Sequence, residues 1–529
     1  MFAHFEPVVL ASDEPWRDDV FTGYAFEGSS LIIGEDGYRD WSQARDRALA
    51  SHEDGCYLHV RQTEGRLEVS GDFKGYCKVF VYQSGDRWAV SNSFVQLVDA
   101  AKSRGWPVTP NEHVLAMWSR TASFWQQLAT FQTAAAPISL LPRQNVLVID
   151  REGRITQREG AQSHPEARQG PYELALSRFL NVWIGRVGTC LRGGGGHLST
   201  ELSGGLDSRV TLSLILGLRQ YFPIDLSRDF SVRSSPLFPV DLECAQRIAD
   251  VYRLPFNKRP DREGAGLVYV DPYERWRDFS LGSYAPHYWP ARSHPQGYFK
   301  VGGHGGEGHR AYWPYPSPHA VLERAAGGFA SGQVLDRAKD SFDQTRDILE
   351  RSYPGLPPTV AHYQEFRDRL HSGLHAQNTI RLQPLSSRHL YRVAQHSGAA
   401  ALDRGQMLYD IMFQVAPGLA AMPYDKESKR PGAEVIRNAP GPLALNPMRG
   451  RVFGLSHDSY GPRRLEVSPW ARLRATYEEA LNRLPHGLVS EDVVEKAQRV
   501  WRDIDDGRLK HSRDGAAIQH VVLADVVAG

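Results

Sequence analysis

A predicted strand, a glycine-containing turn and a predicted helix follow one another directly between residues 197 and 218. The strand covers residues 197–202, the turn is Ser203-Gly204-Gly205-Leu206-Asp207-Ser208, and the helix covers residues 209–218. Glycines allow a tight turn whose N–H groups point inward, and the helix that follows presents its positive N-terminus to an anion. The segment therefore predicts an α/β domain with a loop that binds phosphate groups.

The side chains of this phosphate loop, residues 203–208, extend the argument. Ser203 and Ser208 add hydroxyl donors. An aspartate beside phosphates would repel them unless a cation lies between, so Asp207 is predicted to be a ligand of Mg²⁺. The loop lacks the Gly-x-x-x-x-Gly-Lys-Ser/Thr pattern of a Walker A loop. We therefore expect a phosphate loop of another class, which holds ATP together with Mg²⁺.

Helices and strands alternate around this unit, which is typical of a mostly parallel sheet covered by helices. After about residue 330 the sequence is mainly helical. The further predicted elements are a helix at 172–191 that ends before the glycines at 193–196, a strand at 229–232, a helix at 241–252 and a strand at 298–301. The second half of the chain is thus expected to be an α/β domain with a helical C-terminal part.

The first part of the chain predicts a β-rich domain instead. Short apolar runs at residues 56–60, 66–69, 77–82, 87–90 and 145–150 are separated by turns that contain Gly or Asp. The polar stretch at residues 158–166 predicts a linker. Because 529 residues exceed what one core usually organises, we expect two domains, residues 1–165 and 170–529, with the boundary near 165.

Composition and charge limit the classes of partner. Sixty-two basic and sixty-one acidic side chains give a net charge of +1, which provides no electrostatic footprint for nucleic acid or an anionic membrane. The sequence contains neither a signal peptide nor an apolar run near the roughly 18 residues of a membrane helix. The four cysteines have no zinc spacing. We expect a cytoplasmic enzyme with reduced cysteines and a small-molecule or peptide substrate.

The phosphate loop resembles the pyrophosphate loop of the asparagine synthetase and β-lactam synthetase superfamily, in which ATP is split into AMP and pyrophosphate. The resemblance implies a C-terminal parallel sheet of the adenine-nucleotide α-hydrolase type, preceded by a degenerate Ntn-hydrolase-like αββα sandwich. The residues it places on ATP in this part of the chain are Leu202, Ser203, Gly204, Gly205, Asp207 and Ser208.

Two later segments resemble the same family in the same order. The strand at 229–232 matches the strand whose backbone holds adenine, which implies ATP contacts at Ser231 and Val232. The other segment is Gly303-His304-Gly305-Gly306-Glu307-Gly308, which resembles a Gly-Glu-Gly-Ala-Asp-Glu loop of the family. The resemblance implies that Gly303 contacts ATP. Glu307 falls on the aspartate that shares Mg²⁺ with the first loop, whereas Gly308 replaces the next acid.

His304 falls on a position that glutamate holds in asparagine synthetases and a catalytic tyrosine holds in β-lactam synthetases. A histidine there could take the proton from an attacking amine, since its ordinary pKa near 6.5 lies close to working pH. The alternative is a loop histidine that only hydrogen-bonds its neighbours. The resemblance thus implies His304 as the catalytic base.

A late segment, residues 421–429, resembles the part of the family that carries a lysine for the pyrophosphate and the adenylation transition state. Lys426 is chosen over Lys429 from its distance beyond Pro423. A cation aimed at charge that develops on transferring phosphate is a large catalytic contribution. A solvated surface lysine is the alternative. Residues 381–385 also resemble an Arg-Val-Pro-Phe stretch of the family if one residue is inserted.

The first domain resembles the family's glutaminase domain through residues 71–78 and 141–146, but it lacks the chemistry. Glutamine hydrolysis there needs a cysteine at the mature N-terminus, whose amine acts as the base. Residue 2 is Phe2, and neither Cys56 nor Cys77 can carry a free α-amine beside its thiol. We therefore expect no glutaminase activity, as in β-lactam synthetases and lasso peptide cyclases.

The leading hypothesis is an ATP-dependent ligase that adenylates a carboxylate and forms an amide or lactam with an amine of the same or a second substrate. An asparagine synthetase that uses free ammonia is an alternative from the same class. A catalytically silent relative that binds nucleotide or serves as a scaffold is another, since Gly308 replaces an acid. Neutral charge argues against a nucleic-acid-modifying enzyme. The sequence leaves open whether the protein forms a homodimer.

Overall fold

The computed structural model describes residues 5–16, 19–118, 120, 122–160, 171–192, 197–258, 267–290, 293–295, 297–309, 312–454, 467–507 and 515–529. The predicted domain boundary near 165, the glycines at 193–196 and Phe2 lie outside these residues. The strands are β1 (Val9–Ala11), β2 (Val20–Glu27), β3 (Ser30–Ile33), β4 (Asp54–Thr63), β5 (Arg66–Gly71), β6 (Phe80–Ser84), β7 (Arg87–Ser91), β8 (Thr109–Pro110), β9 (Ala135–Ala136), β10 (Ile138–Leu140), β11 (Asn145–Ile149), β12 (Ile155–Glu159), β13 (His197–Glu201), β14 (Phe230–Arg233), β15 (Leu267–Tyr269), β16 (Ser293–Pro295), β17 (Tyr298–Val301), β18 (Arg381–Leu382) and β19 (Val452–Phe453).

Helices cover the sheets and form most of the C-terminal third. A π-helix, Tyr363–Ser372, lies between two of them. The α-helices are α1 (Gly34–Arg45), α2 (Phe94–Ser103), α3 (Glu112–Trp118), α4 (Tyr172–Arg192), α5 (Leu206–Tyr221), α6 (Leu226–Asp229), α7 (Pro239–Tyr252), α8 (Pro272–Phe279), α9 (Pro318–Ala325), α10 (Gly332–Ser352), α11 (Pro358–His362), α12 (Gly373–Asn378), α13 (Arg388–Gln395), α14 (Ala399–Asp403), α15 (Gln406–Val415), α16 (Pro417–Ala420), α17 (Ala433–Arg437), α18 (Pro469–Arg483), α19 (Glu491–Asp505) and α20 (Ala516–Ala528).

The N-terminal part is a sandwich of two sheets between helices. The larger sheet has the strand order β12-β11-β5-β4-β2-β3-β19 and the smaller one β1-β7-β6-β10. Leu58 of the larger sheet and Val81 of the smaller one share one buried core. Trp41 of α1 packs on the outer face of the larger sheet, and Leu97 of α2 belongs to the core on the other side of the smaller sheet. The expected αββα layering is therefore present.

The second half contains the expected parallel sheet, with the strand order β14-β13-β17-β18. β13 pairs in parallel with both neighbours, since Ser199 lies opposite Ser231 on one side and opposite Lys300 on the other. Parallel strands buried between helices place their carboxyl ends at one edge, where loops can form a ligand site. The phosphate loop follows β13 at this edge. The α/β fold class predicted from the sequence is thus confirmed.

Several element bounds differ from the predictions for identifiable reasons. Residues 77–79 are not a strand, because the Asp72 carboxylate accepts hydrogen bonds from the backbone N–H groups of Tyr76 and Cys77 at 2.9 Å each. Residues 158 and 159 belong to the exposed edge strand β12 rather than to a linker. Helix α5 begins at Leu206, so Asp207 lies in its first turn.

The N-terminal sandwich and the C-terminal half of the chain share one sheet and one core. β19 comes from the C-terminal half and pairs in parallel with β3, with Phe453 opposite Ile32. The core between the two sandwich sheets is continuous with the core around β13, because one buried cluster contains both Leu58 and Leu198. Among the described helices, none combines the length and the apolar character needed to cross a membrane.

Candidate active site

Two loops at the carboxyl ends of β13 and β17 lie against each other. A Cβ atom placed on Gly303 would lie 3.1 Å from the Ser208 nitrogen. A Cβ atom on Gly306 would lie 2.4 Å from Oδ1 of Asp207. A side chain at either position would press on the phosphate loop, and the Asp207 carboxylate lies directly beside the residue that precedes Glu307. The phosphate loop and the loop at 303–307 thus meet at the Asp207 carboxylate.

The phosphate loop is held by hydrogen bonds of its own. The Ser203 and Ser208 hydroxyls lie 3.1 Å apart, and the Ser203 hydroxyl accepts from the Gly205 N–H at 3.2 Å. The Gly204 N–H donates to Oδ1 of Asp241 at 2.8 Å. The Asp241 carboxylate of α7 thus accepts from one of the N–H groups that were predicted to bind phosphate. A nucleotide that uses this N–H would have to displace Asp241.

The late segment lies against the phosphate loop. The Asp425 N–H donates to the Gly204 carbonyl at 3.2 Å, and a Cβ atom on Gly204 would lie 2.5 Å from Cβ of Asp425. The sequence explained Gly204 and Gly205 by the conformational freedom of a turn. Neither has a positive φ, so the close approach of Asp425 is the reason at Gly204.

Lys429, rather than Lys426, presents its ammonium group to the loop. Its Nζ lies 2.7 Å from Oδ2 of Asp425 and 3.8 Å from the position of a Cβ atom on Gly205. The Lys429 carbonyl accepts from the Tyr409 hydroxyl at 2.6 Å, which fixes the backbone here. Lys426 has an extended backbone conformation and directly precedes a short 3₁₀ turn, Glu427–Lys429. This turn brings the Lys429 ammonium to the loop, and the role of Lys426 chosen from chain distance stays a prediction.

Arg209 anchors the late segment and was missed in the sequence. Its side chain is fully buried in α5, and Nη1 donates to the Met422 carbonyl at 2.9 Å. The guanidinium also lies 3.7 Å from the ring centroid of Tyr424 and donates to the Pro423 carbonyl. A buried cation with backbone acceptors fixes a loop in one position. The signal available in the sequence was an arginine within an otherwise apolar stretch of a helix.

The carboxylates of Asp207 and Glu307 fit Mg²⁺ only in part. Carboxylate oxygens are the ligands that Mg²⁺ prefers, and the glycines at 303 and 306 leave space beside Asp207. Within the described residues, no group of three or more His, Cys, Asp or Glu side chains is arranged to hold a metal ion by itself. Mg²⁺ commonly uses one or two carboxylates together with substrate phosphates, and the position of Asp207 between the two loops fits one of them.

A buried carboxylate from another helix lies beside Gly308, where the resemblance implied a lost acid. A Cβ atom on Gly308 would lie 3.3 Å from Oδ2 of Asp368 in the π-helix. Asp368 forms an ion pair with Lys74 at 2.6 Å, and both side chains are almost completely buried. Lys74 holds the pKa of Asp368 below its ordinary value, although burial opposes this. Asp368, 60 positions away in the chain, thus places a carboxylate beside Gly308.

His304 lies in a cluster with His371 and His375. The His304 ring stacks on His375 with centroids 5.5 Å apart and meets His371 edge-on at 5.9 Å. The Tyr284 hydroxyl lies 2.6 Å from Nδ1 of His371. Burial, reinforced by the Arg381 guanidinium, lowers the pKa of His304 from 6.5 to about 4. The assumption of a pKa near neutrality therefore fails, because the ring is largely removed from water.

Ser231 and Val232, which were predicted to contact adenine, form hydrogen bonds within the protein. The Ser231 hydroxyl lies 3.0 Å from Nε2 of His197. The Val232 N–H donates to the Pro255 carbonyl and its carbonyl accepts from the Asn257 N–H, both at 2.8 Å. The edge of β14 therefore pairs with the segment that follows α7, and Val232 does not offer its N–H to a nucleotide. The Leu202 side chain is buried in the core, which leaves only its backbone for contact.

A buried network joins the N-terminal sandwich to the π-helix close to this site. The backbone N–H of Arg143, in the turn before β11, donates to Oε1 of Glu365 at 3.0 Å. Nη1 of Arg369 lies 2.6 Å from the same carboxylate oxygen. The Tyr353 hydroxyl donates to Oε2 of Glu365 at 2.7 Å. Nε of Arg143 lies 3.6 Å from Oε2 of Glu365, so one carboxylate neutralises two arginines, and all these side chains are almost completely buried.

The cysteines of the first domain are not placed or ionised for nucleophilic catalysis. Cys56 and Cys77 are completely buried. Burial raises the pKa of the Cys56 thiol well above 9, and Asp72 raises it further. A thiol rather than a thiolate is the stable form at both positions, and a thiol is a poor nucleophile.

Comparisons with known proteins do not assign the chain to a family. No family model matches it, and no curated protein matches it. Among solved structures, one similarity is to glutamine phosphoribosylpyrophosphate amidotransferase from B. subtilis, a structure complexed with ADP and GMP. The match is 12% identical, covers 48% of this chain and 44% of that chain, and has a TM-score of 0.12. At these values the similarity establishes neither a family nor a function.

Proposed function

We propose that this protein is an ATP-dependent ligase that activates a carboxylate as an acyl-adenylate and joins it to an amine. A carboxylate oxygen attacks the α-phosphorus of ATP and pyrophosphate leaves; the amine then attacks the acyl carbon, AMP leaves and the nitrogen loses a proton. The observation that carries the proposal is the meeting of Asp207, the loop at 303–307 and the Lys429 ammonium around the phosphate loop.

The residues of the phosphate loop would position the nucleotide. The Ser203 and Ser208 hydroxyls can donate to phosphate oxygens, and α5 offers N–H groups, since Gly205 at its N-cap makes no side-chain capping bond. The Lys429 ammonium would stabilise charge on the leaving pyrophosphate. Asp207 and Glu307 would hold Mg²⁺, which supplies neutralisation of phosphate charge.

His304 would orient the amine rather than store its proton. With a pKa of about 4, the imidazole is neutral near neutral pH and can accept a hydrogen bond from an amine N–H. It is a weak base, so it can assist proton loss only as the new bond forms. We therefore propose His304 as a group that contacts the nucleophile, and we assign the amine to the substrate because Cys56 and Cys77 are buried and lack a free α-amine.

A second candidate function is a catalytically silent relative. The observations that favour it are the hydrogen bond from the Gly204 N–H to Asp241 and the engagement of Val232 by residues 255–257. Both would have to change before a nucleotide could use those groups. A protein of this kind would bind ATP weakly and would not release pyrophosphate with any carboxylate.

The proposal is tested by pyrophosphate release from purified protein with ATP, Mg²⁺ and a panel of carboxylates and amines. Pyrophosphate and AMP are expected only when a substrate carboxylate is present. Asp207→Asn should abolish the release, whereas Asp250→Asn, a matched change at an exposed position of α7, should not alter it. Formation of ADP, or full turnover by Asp207→Asn, would refute the proposed reaction.

A further inference from the structure

A small recess lies between helices α4 and α13. Leu174 and Arg178 of α4 line it on one side, and His389 and Arg392 of α13, with His396 directly after this helix, line it on the other. Residues three or four positions apart share one face of a helix, so one face of each helix forms the recess. Its volume is about 30 Å³, which admits a group of a few atoms but not a whole cofactor. This α4–α13 recess shares no lining residue with the loops of the candidate active site.

The α4–α13 recess contains positive charge without a counter-charge. Neither the Arg178 nor the Arg392 guanidinium forms a hydrogen bond or an ion pair with another residue of the described part of the chain. Arg388, one turn before Arg392, differs, because its Nη2 lies 2.5 Å from Oε2 of Glu53. Glu173 belongs to the first turn of α4 but does not line the recess. Two unpaired guanidinium groups thus share one small space.

The lack of a counter-charge is unfavourable for Arg392, whose side chain is half-buried. Burial lowers the pKa of Arg392 below its ordinary value, and the Arg388 and Arg178 guanidinium groups lower it further. The carboxylates of Glu53 and Asp54 oppose this effect, but each already has an arginine partner. A buried or half-buried cation is stabilised by an opposite charge that it contacts directly. An anion in the recess would supply that charge.

The other polar groups of the recess limit the class of anion. Burial lowers the pKa of His389 to about 3, and the Arg186 guanidinium lowers it further, so this ring is neutral and adds no charge. The His396 ring can donate one hydrogen bond. A carboxylate has two oxygens, which match one guanidinium, whereas a phosphate group has enough oxygens to accept from Arg178, Arg392 and His396 together. The donor set therefore fits phosphate better than a carboxylate.

Apolar surface lies beside these donors. Leu174 lines the recess and is 41% exposed, and Pro171 and Ala175 line it next to Leu174. Covering exposed apolar surface is favourable, and the organic part of a phosphate ester is able to do this. The recess thus suits a phosphate group alone or a phosphate group that carries an apolar substituent.

We propose that the α4–α13 recess binds a phosphate group through Arg178 and Arg392, as free phosphate or as the phosphate of an ester whose apolar part covers Leu174. His396 donates a further hydrogen bond to the same group. The site does not depend on the proposed ligase reaction, because phosphate binding is measured without ATP, Mg²⁺ or a carboxylate substrate.

The proposal is tested by titration calorimetry of the full-length protein with inorganic phosphate, phenyl phosphate and acetate, at fixed pH and ionic strength. We expect the two phosphate probes to bind about tenfold or more tightly than acetate, because they engage both guanidinium groups. Tighter binding of phenyl phosphate supports an ester as the ligand, and equal binding of the two phosphate probes supports free phosphate. Absence of binding of both, or equal affinity for acetate, would overturn the proposal.

Variants separate this recess from the phosphate loop, which is expected to bind the same probes. Arg392→Gln should weaken binding about tenfold or more, the effect of one lost charge-assisted hydrogen bond, and the binding that it weakens should persist in Lys429→Gln. Arg499→Gln is the matched control, because Arg499 is an exposed arginine of α19 that has no ion pair with a described residue. Binding that Lys429→Gln abolishes and Arg392→Gln preserves would place the phosphate at the phosphate loop and refute the site.

Thermal unfolding gives a second measurement. Arg392→Gln removes an unpaired charge, so the melting temperature without phosphate should not fall. A ligand that binds only the folded protein raises its melting temperature. Inorganic phosphate should therefore raise the melting temperature of the wild-type protein more than that of the double variant with Arg178→Gln and Arg392→Gln. An equal rise in both proteins would contradict binding in the recess.

Discussion

Lys426 and Lys429 are three residues apart, and only one of them is predicted to act on phosphate. Lys429→Gln should lower the rate of pyrophosphate release about 100- to 1,000-fold, because its ammonium lies beside the phosphate loop and would stabilise developing charge. Lys426→Gln is the matched control and should retain nearly full activity. Steady-state kinetics of both variants check the assignment, and the reverse order of effects would restore the lysine chosen from the sequence.

The protonation state of His304 gives a second prediction at this scale. Its pKa of about 4 in the folded protein lies below the ordinary value of 6.5. Protonation therefore favours the unfolded chain, and His304 should lower stability as the pH falls from about 6.5 to 4, with no contribution above that window. NMR of ¹³C-labelled histidine, assigned with His304→Gln, should show a neutral ring throughout the neutral range. A titration midpoint near 6.5 would contradict the structure.

The sequence identified the carboxylates and the loop residues but not their partners. Asp207 was predicted because an acid beside phosphate needs a cation, and this argument needs only local sequence. Asp368 could not be predicted, since it lies 60 residues from Gly308 and reaches it through the π-helix. Lys426 was chosen over Lys429 because the spacing beyond Pro423 does not reveal the short turn that brings Lys429 to the loop.

At the scale of elements, the contact between the two loops gives a prediction at Gly306. Alanine there places a Cβ atom 2.4 Å from the Asp207 carboxylate, which must move. Gly306 does not have a positive φ, so the backbone accepts alanine without strain. Gly306→Ala should therefore lower pyrophosphate release about 100-fold while the free energy of unfolding changes by about 1 kcal/mol or less.

Gly327→Ala is the control for this experiment. Gly327 also lies in a 3₁₀ turn, Ala326–Gly328, and a Cβ atom there would meet nothing within 4 Å. Activity and stability should both stay near the wild-type values. Full activity of Gly306→Ala would show that the position of the Asp207 carboxylate does not matter for turnover, against the proposed site.

The elements around the phosphate loop were predictable because their patterns are strong and local. The strand at 298–301 and the helix at 241–252 appear in the structure with little change. The last two residues of β12, 158 and 159, were interpreted as linker because they are polar and exposed at the edge of the sheet. The start of β6 was misjudged because a side chain, Asp72, takes the backbone amides of Tyr76 and Cys77. Such competition is invisible to periodicity.

At the scale of the whole molecule, the buried carboxylate of Glu365 is expected to hold the N-terminal sandwich and the helical part together. Glu365→Gln removes the charge that neutralises Arg143 and Arg369 while it keeps the shape of the side chain. Two buried cations would then lack a counter-charge, which should destabilise the protein by about 3–5 kcal/mol. Urea denaturation measures this value.

The control is Glu350→Gln on α10, whose side chain is 63% exposed and lies 4.0 Å from Arg346. An exposed pair at that distance contributes little, about 0–1 kcal/mol. Similar denaturation midpoints for the two variants would mean that the buried network does not stabilise the junction. The sequence could not predict this network, nor the pairing of β19 with β3, because both join residues that are hundreds of positions apart.

The central claim is that residues 203–208 hold the phosphates of ATP for attack on the α-phosphorus. A crystal structure with Mg²⁺ and a non-hydrolysable ATP analogue tests it most directly. We predict the β- and γ-phosphates within hydrogen-bond distance of the Ser203 and Ser208 hydroxyls, between the Asp207 carboxylate and the Lys429 ammonium. Phosphates bound elsewhere on the protein, with this loop still closed by the Gly204–Asp241 hydrogen bond, would contradict the account.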